Sequence, residues 1–194
     1  MAAIGRNPRD SRLRYTKECL YDSFLGLLAE KPVNDITVIE ICEQAGVSRK
    51  TFYKYYSDQF ALLVAMQDDL FEDYRHQLEG QPAEVSQIMP VLIRFVDENR
   101  VLVRATFANQ GEGNFVDRVL NDLYATYGKA WEQANPALSD SDVEFLFYFA
   151  VSGLFGIVRR WLFEHSELPA ETVISQAAAL MHVADPHRAA PYPQ

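Results

Sequence analysis

Apolar residues return every three to four positions through most of this chain, and no stretch alternates apolar with polar as a half-buried strand does. The pattern predicts an all-α protein. A first helix is expected from about Ser11 to Ala29, with Leu20, Phe24, Leu27 and Leu28 on its buried side. Lys31-Pro32 ends it, because a residue before proline is pushed out of the α region. Two short helices follow, 37–45 and 48–55, broken at Gly46. A long helix then runs from about Ser57 to Leu78. Phe60, Leu63, Val64, Met66, Leu70, Phe71 and Tyr74 make its apolar face, and Asp68, Asp69, Glu72 and Asp73 its charged one.

Gly80-Gln81-Pro82 marks a boundary. Beyond it the periodicity predicts helices over Val85–Asn99, perturbed by Pro90, and over Arg100–Ala108. A loop is expected at 109–113 and another helix over Phe115–Gln133, stopped by Asn135-Pro136. Ser141 and Glu144 have capping-box spacing, so a long helix is expected from there to about His165. Pro169 suits the first turn of a last helix ending near Met181. The expected division is a first domain at 11–56, a second helical domain at 57–183, and a proline-bearing disordered tail at 184–194. Residues 1–10 read as a flexible arm.

The stretch from Ile36 to Tyr56 carries the chemistry. Thr37 and Glu40 form a capping box, and Ile36 with Ile41 has the spacing of a hydrophobic staple. Gly46 supplies a left-handed stop. Ser48 caps the next helix, and Val47 with Phe52 repeats the staple spacing. Two helices joined by such a short glycine turn make a helix-turn-helix. On the second helix Val47, Phe52 and Tyr56 can pack inward. Arg49, Lys50, Thr51, Tyr53, Lys54 and Tyr55 are left for the outer surface. Arg or Lys can pair with guanine edges and a Thr methyl can touch thymine, while Tyr and Lys suit phosphate oxygens. The candidate DNA-binding residues are therefore Thr37, Val38, Ser48, Arg49, Lys50, Thr51, Tyr53, Lys54 and Tyr55.

A net charge of −9 looks wrong for a DNA binder until it is divided along the chain. Residues 1–60 carry nine Lys+Arg against eight Asp+Glu, whereas 61–194 carry nine against nineteen. Arg6, Arg9, Arg12, Arg14 and Lys17 put a basic cluster next to the motif in sequence. Screening limits charge effects to about 10 Å at ordinary salt, so the local balance governs. Cys19 and Cys42 both lie in amphipathic segments and read as reduced thiols of a cytoplasmic protein. Met1 to Ser11 lacks the apolar region of a secretory leader. The longest uncharged run, Phe145 to Val158, is fourteen residues, which suits a core helix and is too short for a membrane span.

With these residues in view, 13–63 resembles the N-terminal DNA-binding domain of the TetR family of transcriptional regulators. The matching pattern is Ile36-Thr37-Val38-x-x-Ile41, Ala45-Gly46-Val47-Ser48, Thr51-Phe52-Tyr53-x-Tyr55-Tyr56 and Leu62-Leu63 after an amphipathic first helix. There are departures. Where the family has a phosphate-holding Lys at the start of its fourth helix, this chain has Gln59 beside Asp58. Where the family often has His-Phe, it has Tyr55-Tyr56. The resemblance implies a homodimeric, ligand-responsive and usually repressing protein that binds a palindromic double-stranded DNA operator. Its C-terminal helices would hold a small-molecule effector.

The C-terminal part is rich in aromatics, and Phe95, Phe107, Tyr124, Tyr127, Trp131 and Tyr148 are the candidate effector residues. Arg94 and Arg104 are candidate anion partners if they point inward. The helix over Phe145–Leu162 is apolar nearly all round, with Ser152, Gly153 and Gly156 letting another helix approach. Its extra cover is expected from a second subunit, with Phe149, Gly153, Gly156, Ile157, Arg160 and Trp161 at the interface. The resemblance agrees, since the last two long helices of such proteins pair across a two-fold axis. His76, His165, His182 and His187 are scattered, so no metal site is expected. No nucleophile triad, P-loop or dinucleotide fingerprint is present, so neither a cofactor nor an enzyme is expected. The alternative class is a dimeric helical adaptor that keeps this fold without reading DNA.

Overall fold

The computed structural model describes residues 8–81, 85–109, 115–134 and 136–183 of the 194. Among them are nine α-helices and no strand. They are α1 (Pro8–Glu30), α2 (Val38–Ala45), α3 (Arg49–Phe52), α4 (Gln59–Leu78), α5 (Val85–Glu98), α6 (Arg100–Ala108), α7 (Phe115–Ala134), α8 (Asp140–Glu164) and α9 (Ala170–Val183). A single 3₁₀ turn, Val33–Asp35, joins α1 to α2. The chain forms two compact units that divide within α4, between Leu70 and Phe71.

In the first unit α1 packs on α2, and α2 on α3. Leu20, Phe24, Val33, Ile36, Ile41, Phe52, Leu62, Leu63, Met66 and Leu70 are buried there. α1 begins at Pro8, three residues earlier than the apolar pattern predicts, so Pro8–Asp10 are helical and the expected arm is shorter. On α4, Phe60 and Val64 are exposed and belong to neither buried row, contrary to the expected apolar face. An inward-packing side of a single helix is narrower than that expected face. Leu62, Leu63, Met66 and Leu70 already fill the side that packs inward.

The second unit has two cores. Phe71, Tyr74, Leu78, Ile88, Val119, Leu123, Tyr127 and Phe147 make one, formed where α7 and α8 pair. Met89, Ile93, Trp161, Val173 and Ala177 make the other, where α5 meets α9. α5 continues through Pro90, which lacks the N–H that would complete the ladder at that turn. α8 starts at a capping box formed by Ser139 and Asp142, not by Ser141 and Glu144. Both registers fit the Ser-Asp-Ser-Asp-Val-Glu segment, and the earlier one keeps two more residues helical. Pro169 precedes α9 rather than lying in it, and its carbonyl accepts from Thr172 N–H.

Candidate nucleic-acid interface and effector region

Short-range hydrogen bonds set the helix-turn-helix. The Thr37 hydroxyl accepts from Glu40 N–H at 3.3 Å, and the Glu40 carboxylate accepts from Thr37 N–H at 2.9 Å. Lys31 Nζ lies 2.6 Å from the same carboxylate. Donation from Lys31, then from the Thr37 backbone and hydroxyl, holds the Glu40 carboxyl at about 2 against an ordinary 4.5. Gly46 ends α2 at φ 64°, a left-handed conformation that glycine adopts without a Cβ clash. Ser48 Oγ then accepts from Thr51 N–H at 3.2 Å and starts α3.

α3 is α-helical only over Arg49–Phe52, shorter than the expected 48–55. Its last turn tightens, with Tyr55 N–H bonded to Phe52 O at 2.9 Å. β-branched and aromatic residues are weak helix formers, and a 3₁₀-type closure is common at such ends. Phe52 is fully buried and meets Tyr53 edge-on at 5.6 Å. This anchors one side of the segment and leaves the other in water. Ser48, Arg49, Lys50, Lys54 and Tyr55 are exposed, and Tyr53 is 57% exposed. Thr51 is half-buried, 2.8 Å from Ser48 Oγ. Lys54 Nζ sits 5.1 Å above the Tyr55 ring, which orders both side chains.

Two candidate contacts change meaning. Val38 is only 9% exposed, so its side chain belongs to the core. Thr37 is exposed, but its hydroxyl and N–H are engaged in the capping box. At the start of α4, Asp58 Oδ1 accepts from Ala61 N–H at 2.8 Å. A carboxylate therefore stands where a phosphate would otherwise meet the helix N-terminus. The expected basic cluster is also weaker than its sequence suggests. Arg14 pairs with Glu18, and Lys17 lies 2.6 Å from Asp69. Arg6 lies outside the described residues.

Sequence reading missed a network behind the recognition segment. Tyr21 donates to Asp69 at 2.7 Å, Lys17 pairs with the same oxygen, and Tyr56 faces Tyr21. Burial first, then the Asp69 bond, push the Tyr21 hydroxyl far above its ordinary range, so it stays a donor. The signal was a Tyr and a Lys four residues apart on the first helix. Their partner, 48 residues further on, gave no local clue.

Cys42 is buried, and burial raises its thiol more than Arg49 lowers it, so it is no activated thiolate. No group of three or more metal-ligating side chains occurs among the described residues.

In the second unit the six candidate effector aromatics do not converge on one site. Tyr127 and Trp131 line an apolar cavity of about 40 Å³ with Ile88, Met89, Leu92, Leu123, Phe147, Val151 and Leu154. Tyr124 stacks against Phe147 and Tyr148 at 5.2 and 5.5 Å, and Tyr148 donates to Asn121. Phe107 meets Phe155, while Phe95 packs against the core outside the cavity lining. Arg94 and Arg104 point outward, Arg94 to Glu171 at 3.0 Å and Arg104 over the Phe163 ring.

α8 carries an exposed stripe. Phe145 is 75% and Phe149 70% exposed, and Ser152, Gly153, Gly156 and Arg160 continue the row, with Ile157 half-buried. Arg160 also pairs with Glu164 on the same helix. Trp161 does not belong to this stripe. It is 2% exposed, its indole N–H donates to Leu168 O at 2.9 Å, and Arg100 lies 4.3 Å over its ring. The interface role expected of Trp161 is corrected to an internal one: it sits a turn beyond Ile157 on the side facing α5 and α9. By length and composition α8 is apolar enough to cross a membrane. Val143, Phe147, Ala150, Val158, Trp161 and Leu162 are buried on its inner side against the protein's own helices.

An N-terminal helix-turn-helix unit with exposed cations, followed by an all-helical unit, is the arrangement of a DNA-binding transcriptional regulator. Residues 16–66 match the family model of bacterial regulatory proteins of the tetR family, and residues 83–183 match that of a transcriptional regulator C-terminal region. The chain belongs to the TetR family of transcriptional regulators. It is 22% identical over 190 residues to the HTH-type dhaKLM operon transcriptional activator DhaS of Lactococcus lactis subsp. lactis (strain IL1403), covering 93% of this chain and 95% of that one. A solved structure of the dihydroxyacetone kinase operon activator DhaS superposes with a TM-score of 0.61 at 20% identity, covering 87% and 94% of the two chains. Thermus thermophilus FadR, a TetR-family repressor solved with lauroyl-CoA, superposes with a TM-score of 0.58 at 20% identity, covering 92% and 99%. An 87-residue stretch is 37% identical to the HTH-type transcriptional regulator YxbF of Bacillus subtilis (strain 168). It covers 41% of this chain and 23% of that protein. The structural likenesses, at such identities, bear on fold alone.

Proposed function

We propose that this regulator is a cytoplasmic homodimer that represses transcription from a palindromic operator and leaves it when a small molecule binds the C-terminal unit. The observation that carries the reading is the segment Ser48–Tyr55, which is anchored by buried Phe52 and presents Arg49, Lys50, Tyr53 and Lys54 to solvent. Lys50 and Arg49, near the start of α3, are assigned to base edges, and Tyr53, Lys54 and Tyr55 to phosphates. The exposed α8 stripe of Phe145, Phe149, Gly153 and Gly156 supports a two-fold pairing of α8, with the glycines allowing close approach. Two recognition segments in such a dimer read half-sites about 34 Å, or a multiple of it, apart. The effector acts only to the extent that it prefers the dimer form with the wrong spacing.

The test is selection of random duplex DNA on the purified protein at two salt concentrations. An enriched palindrome whose yield falls with salt supports the reading. No enrichment at either salt, with ligand-free protein, overturns it in favour of the adaptor. DhaS, similar over 93% of this chain, is named an activator, which favours a second reading in which operator occupancy raises transcription. A reporter placed downstream of the selected site separates the two signs.

A further inference from the structure

α8 holds two glycines that its own packing does not call for. Gly153 and Gly156 lie inside the helix on its exposed side, and a Cβ added at either would meet no atom within 4 Å. A glycine inside a helix weakens it relative to alanine. A close approach from outside the chain accounts for both positions, and nothing within the chain does. The same side carries side chains of the opposite kind, since the Phe145 and Phe149 rings project into water.

Along the stripe, large and small, acid and base, stand in mirror order. Asp142, Phe145 and Phe149 come from the N-terminal end, and Gly153, Gly156 and Arg160 follow toward the C-terminal end. At 3.6 residues per turn Asp142 and Arg160 fall at the same angle around the helix, and Phe145 and Gly156 within about 20° of each other. A two-fold axis at the level of Val151 turns such a helix end for end. Asp142 then meets the partner subunit's Arg160, Phe149 the partner subunit's Gly153, and Phe145 the turn that holds the partner subunit's Gly156. Leu138, just before the cap, and Phe163 add exposed apolar surface at the two ends. Two-fold symmetry makes every one of these contacts twice.

The charged ends have groups to offer. The Ser139 cap takes up Oδ2 of Asp142, leaving Oδ1 for a second partner. Glu164 lies 3.0 Å from one terminal nitrogen of Arg160, which carries another. A parallel two-fold pairing would instead set each residue against itself. Ring would meet ring, the glycines would face an unfilled gap, and Arg160 would face a like charge.

We propose that the exposed side of α8 is a keyed surface for a second copy of this chain. Two α8 helices lie antiparallel, the Phe145 and Phe149 rings of each seat on the glycine segment of the other, and Asp142 pairs with the partner subunit's Arg160 at both ends. This pairing rests on the α8 dimer read above and adds its direction, its register and its choice of partner. A related chain with bulky side chains in place of the glycines, or without acid at one end and base at the other, meets a clash or an unpaired charge and is excluded.

Sedimentation equilibrium of the full chain and its variants tests the pairing. Asp142→Arg or Arg160→Asp alone puts two like-charged pairs into the dimer and is expected to weaken it at least about tenfold. Both exchanges in one chain restore the pairs with their signs swapped and return the dimer constant to within about threefold of the parent. Asp142→Arg also removes the capping carboxylate, but position 160 lies roughly 27 Å along the same helix and cannot repair a cap. Recovery in the double variant therefore reports the contact between chains, and a parallel dimer gains nothing from it. Gly156→Leu meets no obstacle within the chain, so it keeps its circular dichroism while its dimer weakens by about a hundredfold. Phe145→Cys and Gly156→Cys chains, mixed, oxidised and mapped by peptide mass, are expected to join position 145 to position 156. No recovery in the double variant, a bridge from 145 to 145, or a dimer indifferent to Gly156→Leu overturns the keyed pairing while leaving the protein a dimer. A parent chain that stays monomeric refutes the two-fold reading and the pairing with it.

Discussion

Trp161 is buried in the core that α8 shares with α5 and α9, and its replacement tests what that burial contributes. Replacing it with Phe keeps an aromatic ring in place but removes three things. The indole N–H bond to Leu168 O at 2.9 Å goes, a loss of about 1 kcal/mol. Leu168 O retains a weak contact from Arg100 at 3.5 Å and is not stranded. The Arg100 stack at 4.3 Å loses the better of two ring faces, about 0.5 kcal/mol. The smaller ring leaves a void among Met89, Ile93, Val173 and Ala177, worth about 1–2 kcal/mol. The sum is about 2–4 kcal/mol, or roughly 5–15 °C in Tm for a chain of this size. The assay is thermal and urea unfolding at several protein concentrations, with sedimentation velocity on the same samples. Trp161→Phe should lower the midpoint by the same amount at every concentration. Phe149→Ser, on the exposed α8 stripe, should instead abolish the concentration dependence and yield monomer. A Trp161→Phe protein that unfolds like the parent but dissociates would refute the internal role argued for this side chain.

Three further outcomes follow from the first unit. Lys50→Ala should weaken operator binding by about 1–3 kcal/mol and relax preference at one base pair, whereas Tyr53→Phe should weaken all sequences alike; binding to a mutated-operator panel reads the difference. Because Glu40 titrates at about 2 when folded and near 4.5 otherwise, its contribution is complete above about pH 4.5 and lost as pH falls toward 2. Tm against pH should therefore fall less steeply across that window in Glu40→Gln, and parallel curves would sink the assignment. Tyr21→Phe removes the half-buried bond to Asp69 and should cost about 1 kcal/mol. It should speed amide exchange in α2 and α3 and reduce DNA affinity although no DNA-facing side chain has changed; unchanged exchange would show the network to be idle.

The helix-turn-helix was legible because its determinants are local. The Thr37 and Ser48 caps, the Gly46 stop and the buried Phe52 each act within a few residues, so residue type and spacing suffice. The α3 end was less legible, since Tyr53–Tyr55 can continue a helix or tighten into a turn, and weak propensities do not choose. The start of α8 was ambiguous for a similar reason, with two capping boxes overlapping two residues apart.

That this chain is helical, where most helices lie and which short segment carries the cations follow from residue order alone. Periodicity and capping are properties of neighbours in the chain, and they survive without knowledge of the rest. Which side of each apolar helix is covered depends on how the helices pack. Packing turned Val38 and Trp161 inward, left Phe60, Val64, Phe145 and Phe149 in water, and joined Tyr21 to Asp69 across 48 residues. It also kept the aromatics of the second unit from converging on one site, with Tyr127 and Trp131 beside a small apolar cavity, Tyr148 bonded to Asn121 and Phe107 against Phe155. A helical wheel assigns an apolar residue to a face. Whether that face meets another helix, a void or solvent depends on partners far away in sequence, and their arrangement is set by packing the whole chain at once.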